Sequence, residues 1–257
     1  SFYDDMSEPR GDVCVTASYA GVLCARMVMR GSPRAVIGLD CAIGKEAAGI
    51  AGLFYYEALA IPAAAADVMT AEMGNGADLY EAGVISVVNE LAALIGVRVG
   101  MTVREAAQLL MTVDLPDTDL STDRENREVM FTSEEGRSIV CTDSIVFARE
   151  EDRGRNVLCT AGHTGRSVIG YIVDSAPWGF ICSDGGIGKN DSGITALEPA
   201  KEAGIAGASV SAQTARMGDG HSTYLHGVIS AANDLAIAKG VYVGQPATEA
   251  AKCMLGN

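Results

Sequence analysis

The chain contains an internal repeat, in which residues 13–110 align without a gap with residues 157–254 at a constant spacing of 144 positions. Three motifs carry the repeat, and in the first copy they read Asp40-x-x-Ile43-Gly44-Lys45-x-x-x-Gly49, Thr70-Ala71-x-Met73-Gly74-x-Gly76 and Gly83-Val84-Ile85-Ser86-x-x-Asn89. Residues present in both copies indicate a shared scaffold or a shared site. Residues present in one copy indicate where the two halves diverged in function.

Each repeat has the pattern of a parallel α/β fold. Short apolar strands without polar alternation are predicted in the first repeat at 12–17, 35–39 and 62–67, and in the second at 156–161, 179–182 and 206–211. Helical stretches such as 46–59 and 192–203 separate them. The pattern predicts an internally duplicated three-layer α/β/α fold with mostly parallel sheets and halves related by a pseudo-twofold axis. Thr102 and Glu105 fit a capping box at a late helix of the first repeat.

The connector divides the chain into three predicted segments. We expect a first α/β repeat at 1–111, a linker at 112–143 and a second α/β repeat at 144–257. The linker holds a predicted β-hairpin, with strands at 129–132 and 138–142. Residues 144–154 match 1–11 in length and ending, so we expect the chain to begin inside the repeat.

Composition excludes several classes of function. The net charge of −14 and the scattered Lys and Arg argue against nucleic-acid binding. No apolar run is long enough to span a bilayer, so we expect no membrane association. The seven cysteines form no CxxC pair and lie mostly in apolar runs, which predicts reduced thiols and a cytoplasmic location. Helices rich in Ala and Gly predict a homo-oligomer.

The repeated Gly-Lys pairs are candidate anion sites. Asp40 and Asp184 end the second strand of each repeat, and a Gly-Lys pair then stands at a helix start, where free amides favour anions. We therefore predict that a substrate carboxylate or phosphate binds at Gly44 and Lys45, and at Gly188 and Lys189. Asp40 is a further predicted substrate contact of the first repeat. The alternative is that Asp and Lys pair with each other and cap the helix.

Titrating side chains are concentrated in the second repeat. All three histidines lie there, and His163 and His221 replace Tyr19 and Ala77 of the first repeat. Because parallel strands end at one edge of a sheet, their loops should converge there. We predict four catalytic residues, His163, Asp184, Lys189 and His221, with His163 as the general acid or base. Predicted substrate contacts in this repeat are Thr164, Gly188, Ser192 and Arg216.

No organic cofactor is expected. The chain lacks a Walker motif, and Gly162-His163-Thr164-Gly165 does not fit the dinucleotide-binding pattern. A required metal is not predicted either, although a divalent ion is an alternative, with the ligand types His163, Asp184, Asp219 and His221. Matched cysteine pairs of a two-cysteine racemase are absent, because Cys14 corresponds to Leu158.

The sequence thus predicts a cofactor-independent enzyme that acts on a small anionic metabolite by acid–base chemistry. Hydrolysis of an amide, imide or lactone-like bond is the first prediction. A carbon–oxygen or carbon–nitrogen lyase is the first alternative, because it uses the same anion site, imidazole and hydrogen-bond donors. A ligand-binding or regulatory module with two related pockets is the second alternative, and an assembly protein is the third.

Overall fold

The computed structural model describes residues 11–114 and 126–256. Contacts divide the chain into two compact units. The first comprises residues 1–43, 47–124 and 188–190, and the second comprises residues 44–46, 125–187 and 191–257. Each unit therefore includes three residues, 188–190 or 44–46, from the Gly-Lys motif of the opposite repeat.

The first unit is built on a four-stranded sheet. Its strands are β1 (Val13–Tyr19), β2 (Ala35–Leu39), β3 (Ala63–Ala66) and β4 (Ile85–Val88). They are ordered β1-β2-β3-β4, with the first three parallel and β4 antiparallel to β3. Its helices are α1 (Val22–Met29), α2 (Gly52–Ala58), α3 (Gly76–Ala82), α4 (Glu90–Ile95) and α5 (Val103–Leu110).

The second unit is built on a six-stranded sheet. Its strands are β5 (Arg127–Thr132), β6 (Ser138–Thr142), β7 (Val157–His163), β8 (Gly179–Ser183), β9 (Ala206–Val210) and β10 (Ile229–Ala232). The order is β10-β9-β8-β7-β6-β5, with β6 to β9 parallel and both edge strands antiparallel. Its helices are α6 (Ile169–Ser175), α7 (Leu197–Glu202), α8 (Gly220–His226), α9 (Asp234–Ala238) and α10 (Ala247–Leu255).

Strand alternation in the second sheet creates two hydrophobic clusters. Cys141 and Cys159, register partners on β6 and β7, pack in one cluster together with residues of α8 and α10. Val140 and Leu158, also register partners, pack in the other with residues of α6 and α7. Successive side chains of a strand point to opposite faces, so the two clusters lie on opposite faces of this sheet.

The predicted strands and the predicted hairpin are confirmed, with small shifts at their ends. The capping box at Thr102 and Glu105 is also confirmed. Two predictions are wrong. The helix expected over 46–59 is a 3₁₀ turn at Lys45–Ala47 followed by α2, because Glu46 is left-handed, with φ of 54°. The helix expected over 192–203 is likewise divided, into a 3₁₀ turn at Lys189–Ile194 and α7.

Within the described ranges, none of the helices is both long and apolar enough to span a bilayer. All seven cysteines fall in these ranges, and none is in a disulfide.

Candidate functional site

The repeated aspartates hold their loops in shape. Asp184 is buried, and its Oδ1 accepts hydrogen bonds from the amides of Gly186 (2.9 Å) and Ala212 (2.9 Å). Asp40 does the same with the amides of Ala42 (3.0 Å) and Val68 (3.1 Å). A carboxylate that accepts two backbone amides ties the end of one strand to the loop after its neighbour. This structural role explains why the aspartate recurs in both repeats, without the catalytic role predicted for Asp184.

The glycine that closes the same motif is a packing residue. A Cβ on Gly193 would lie 2.0 Å from the carbonyl oxygen of Asp184, and one on Gly49 would lie 2.4 Å from that of Asp40. Gly44 and Gly188 serve a different purpose, because they have φ of 70° and 74° and form the left-handed part of the turn. The motif is therefore repeated largely because its backbone path requires these residues.

The lysine of the second motif belongs to the first unit and pairs with a carboxylate there. Lys189 Nζ donates to both carboxylate oxygens of Asp78 at 3.1 Å, and its amide donates to the carbonyl of Val68 at 3.0 Å. The amide of Glu72 and the ammonium of Lys189 lower the pKa of Asp78. Asp78 thus already binds the ammonium of Lys189, at the place where the sequence predicted that a substrate anion would bind.

The lysine of the first motif lies in the second unit and has no such partner. The Lys45 amide donates to the carbonyl of Ala212 at 2.8 Å, so its backbone is anchored beside the loop after β9. Within the described part of the chain its ammonium forms no ion pair. The position that corresponds to Asp78 is Ser222, which cannot neutralise a lysine. Among the described residues, Lys45 therefore keeps an uncompensated positive charge, whereas Lys189 does not.

His163 is buried at the carboxyl end of β7. Its Nδ1 accepts the amide hydrogen of Gly165 at 3.0 Å, which assigns the proton of the neutral ring to Nε2. Burial lowers the pKa of His163 to about 4, so the ring is neutral at pH 7. A neutral ring with its acceptor nitrogen occupied can donate a hydrogen bond but cannot accept a proton readily. The geometry favours a donor role over the predicted role of general base.

The hydroxyl groups beside His163 are tied into the sheet. Thr164 Oγ1 donates to the carbonyl of Ser183 at 2.9 Å and accepts from Ser209 Oγ at 2.8 Å. Both hydrogen bonds are buried, so Thr164 stabilises the strand end and is poorly placed as a substrate contact. Ser192 is also buried, in the 3₁₀ turn Lys189–Ile194.

Arg216 carries charge at the surface of the second unit. It pairs with Asp219 (2.6 Å) and with Glu46 (3.1 Å), and its side chain is about half exposed. Asp219 is also the N-cap of α8, since its Oδ1 accepts the amide of Ser222 at 3.0 Å. Exposed pairs of this kind contribute little to stability, so Arg216 can exchange a protein carboxylate for an external one.

His221 forms the clearest pair of titrating groups in this unit. It lies in the first turn of α8, and its Nε2 is 2.7 Å from Glu128 Oε2 on β5. Glu128 and Cys141 are register partners, and Cys141 packs with residues of α8, which puts Glu128 on the α8 face of the sheet. The histidine side chain is 35% exposed, so solutes can reach it.

Asp143 adds a third titrating group to this edge. It follows β6 and is 5% exposed, and its carboxylate accepts from the Gly220 amide (3.2 Å) and from Asn126 Nδ2 (2.8 Å). Burial raises the pKa of Asp143, and the charge of Asp219 adds to this effect, while the two hydrogen bonds and His221 oppose it. A perturbed carboxyl beside a histidine is typical of acid–base sites.

Neither Asp143 nor Glu128 was predicted from the sequence. Both lie in the hairpin region, which has no counterpart in the alignment of the two repeats, so a comparison of the copies could not identify them. The sequence feature that could have identified Asp143 is its position directly after the apolar strand β6, at the edge of the sheet where β7 also ends.

The described residues include no group of three or more His, Cys, Asp or Glu side chains that could hold a metal ion. Comparison with known proteins finds no family model, no curated protein and no solved structure that matches this chain.

Proposed function

We propose that this chain is a cofactor-independent enzyme that acts on a small anionic metabolite by acid–base chemistry. The observation that carries the proposal is the His221–Glu128 pair at 2.7 Å, next to the buried Asp143. Three titrating groups at one accessible sheet edge are the parts that proton transfer requires. The reaction proposed first is hydrolysis of an amide, imide or lactone-like bond.

Each group at this edge has a distinct proposed role. His221 is the general acid or base, and Glu128 is a positioning residue that orients its ring. Asp143 is the second proton-transfer group, because its raised pKa favours the protonated form that can donate to a leaving group. The neutral His163 ring lies at the carboxyl end of the neighbouring strand β7 and offers an N–H to a developing negative charge.

The anionic part of the substrate is proposed to bind Lys45 and Arg216. Among the residues that the structure describes, Lys45 has no carboxylate partner, and Arg216 has exposed partners that a substrate can displace. Both residues belong to the second unit, as do the three titrating groups. Of the two predicted Gly-Lys sites, the one at Gly44 and Lys45 is therefore the one that the contacts support.

We also propose that the chain arose by internal duplication and has two halves related by a pseudo-twofold axis, each with a three-layer arrangement. Recurring contacts at the spacing of 144 residues support this. Asn89 Oδ1 accepts the amides of Ala63 and Ala92, and Asn233 Oδ1 accepts those of the corresponding Gly207 and Ala236. A cytoplasmic homo-oligomer without nucleic-acid partners remains the proposed setting.

Turnover of a defined set of compounds tests the proposed function. The set comprises five- and six-membered cyclic amides, imides and lactones that carry a carboxylate, assayed with the full chain. We expect His221→Ala to lower turnover of the best compound at least a hundredfold. His226→Gln is the matched control, because His226 is an exposed histidine of the same helix.

The products identify the reaction class. Hydrolysis incorporates oxygen from labelled water, whereas a lyase releases an alkene and incorporates none. Saturable binding without turnover of any compound would favour the ligand-binding module. Equal turnover by wild type and His221→Ala would overturn the proposed site.

A further inference from the structure

Several cations lie at the amino edge of the second sheet, opposite the titrating groups, and two of them pack on the single tryptophan. Arg137 directly precedes β6, Arg155 lies shortly before β7, and Trp178 directly precedes β8. All three therefore lie at the amino edge of neighbouring parallel strands. With Phe131, Lys239 and Lys252 they form what we call the basic aromatic cluster. The chain as a whole carries 33 acidic and 19 basic side chains, which makes such a local excess of cations unusual for it.

Two cations pack directly on the tryptophan ring. Arg137 Cζ lies 3.9 Å and Lys239 Nζ lies 4.5 Å from the centroid of the Trp178 ring. The Trp178 Nε1 and Lys239 Nζ both donate to the carbonyl of Met254, at 2.9 Å and 3.2 Å. These contacts fix the positions of both charges. A cation pair held in place before a ligand arrives loses little conformational freedom on binding.

The charges of this cluster are mostly not compensated. Arg137 pairs with Glu135 at 2.8 Å, but Arg155, Lys239 and Lys252 form no ion pair with any residue in the described ranges. Partial burial, together with the charge of Arg137, lowers the pKa of Lys239. The charges of Arg137 and Lys239 lie on the same ring and repel each other, because no carboxylate among the described residues pairs with the lysine. An external anion would relieve that repulsion.

We propose that the basic aromatic cluster is a binding site for a phosphoryl group, separate from the proposed active site. A phosphate monoester carries about 1.5 to 2 negative charges at pH 7, so it matches several fixed cations better than a single carboxylate does. Arginine and lysine are also the usual phosphate ligands. Two cations already pack on the Trp178 ring, and its N–H is bonded to the Met254 carbonyl, which argues against recognition of an aromatic base by stacking.

Tryptophan fluorescence tests this proposal directly, because Trp178 is the one tryptophan of the chain. Inorganic phosphate and inorganic tripolyphosphate are titrated into the full chain, and sodium chloride at matched ionic strength gives the reference. We expect a saturable change with at least one of the two phosphates and none with chloride. Lys239→Gln and Lys252→Gln should each weaken binding about tenfold, which calorimetry measures independently of the fluorophore.

Arg104→Gln is the matched control, because Arg104 also packs on an aromatic ring, that of Tyr80, at 5.2 Å. It should leave phosphate binding unchanged. The proposal is overturned if no phosphate gives a saturable signal, if chloride produces the same change, or if both lysine variants bind as tightly as wild type. In those cases the cations serve only to anchor the hairpin turn and α10 around Trp178.

Discussion

Replacing His163 should remove a specific part of the pH dependence of stability. The pKa of His163 is about 4 in the folded chain because the ring is buried, and that of an unfolded histidine is about 6.5. Below pH 6.5 the unfolded state therefore binds a proton that the folded state does not bind until about pH 4. His163 stabilises the fold fully above pH 6.5, and this contribution is lost as the pH falls towards 4. The difference in pKa corresponds to about 3 kcal/mol over that range.

The measurement is urea unfolding of wild type and His163→Tyr at several values between pH 7 and pH 4. Tyrosine is a suitable replacement because Tyr19 occupies the corresponding, equally buried position of the first repeat. Many carboxylates titrate in the same range, but they are common to both proteins and cancel in the difference. We expect the stability of wild type relative to the variant to fall by about 3 kcal/mol between pH 7 and pH 4. A constant difference would show that His163 binds its proton equally in the folded and unfolded states, which refutes a pKa lowered by burial.

Three further predictions concern the loops and charges of the two units. Gly193→Ala should lower the free energy of unfolding in urea by about 3 kcal/mol or more, because its Cβ would lie 2.0 Å from a carbonyl oxygen. Gly170→Ala, in the open surroundings of α6, should raise it by about 0.5–1 kcal/mol. Asp143→Asn should raise the melting temperature at pH 7 but not at pH 3, because burial disfavours only the carboxylate; a gain at both pH values would contradict this cause. Lys45→Gln should raise KM at least tenfold with kcat little changed, and Lys189→Gln should leave KM unchanged; the reverse result would assign the anion site to the other motif.

The sequence predicts the architecture well because the apolar strands depend on local composition. Strand β2 is buried along its whole length, and its apolar run marks it without ambiguity. The antiparallel edge strand β4 has only four residues, one buried and three half-buried, so its assignment depends on pairing with β3. That pairing is a tertiary contact, which local pattern does not contain.

The candidate site is only partly predictable, for two physical reasons. First, recurrence of Asp184 and Gly193 in both copies marks backbone constraints, which sequence comparison cannot separate from chemistry. Second, the partner of a charge depends on the packing of distant segments. Lys189 is neutralised by Asp78, whereas Lys45 meets no carboxylate within residues 11–114 and 126–256. The two motifs that contain these lysines are nevertheless similar in sequence.

The roles of the histidines also depend on burial, which the sequence does not show. His163 has the loop position of a catalytic base, but its surroundings make it a neutral donor. His221 is the more accessible ring, and its partner Glu128 lies in a segment that the repeat does not cover. Asymmetry between the two copies is the reason for placing the proposed chemistry in the second half, but it did not single out His221 as the proposed proton-transfer residue.

The most direct test of acid–base chemistry at the carboxyl edge of the second sheet is the pH dependence of kcat/KM for Asp143→Asn. The substrate is the best one from the cyclic amide, imide and lactone set, and His226→Gln is measured in parallel. The account predicts a loss of about a hundredfold or more at the pH optimum, together with disappearance of the wild-type limb that reports a carboxyl with a raised pKa. An unchanged rate and an unchanged pH profile in Asp143→Asn would contradict it.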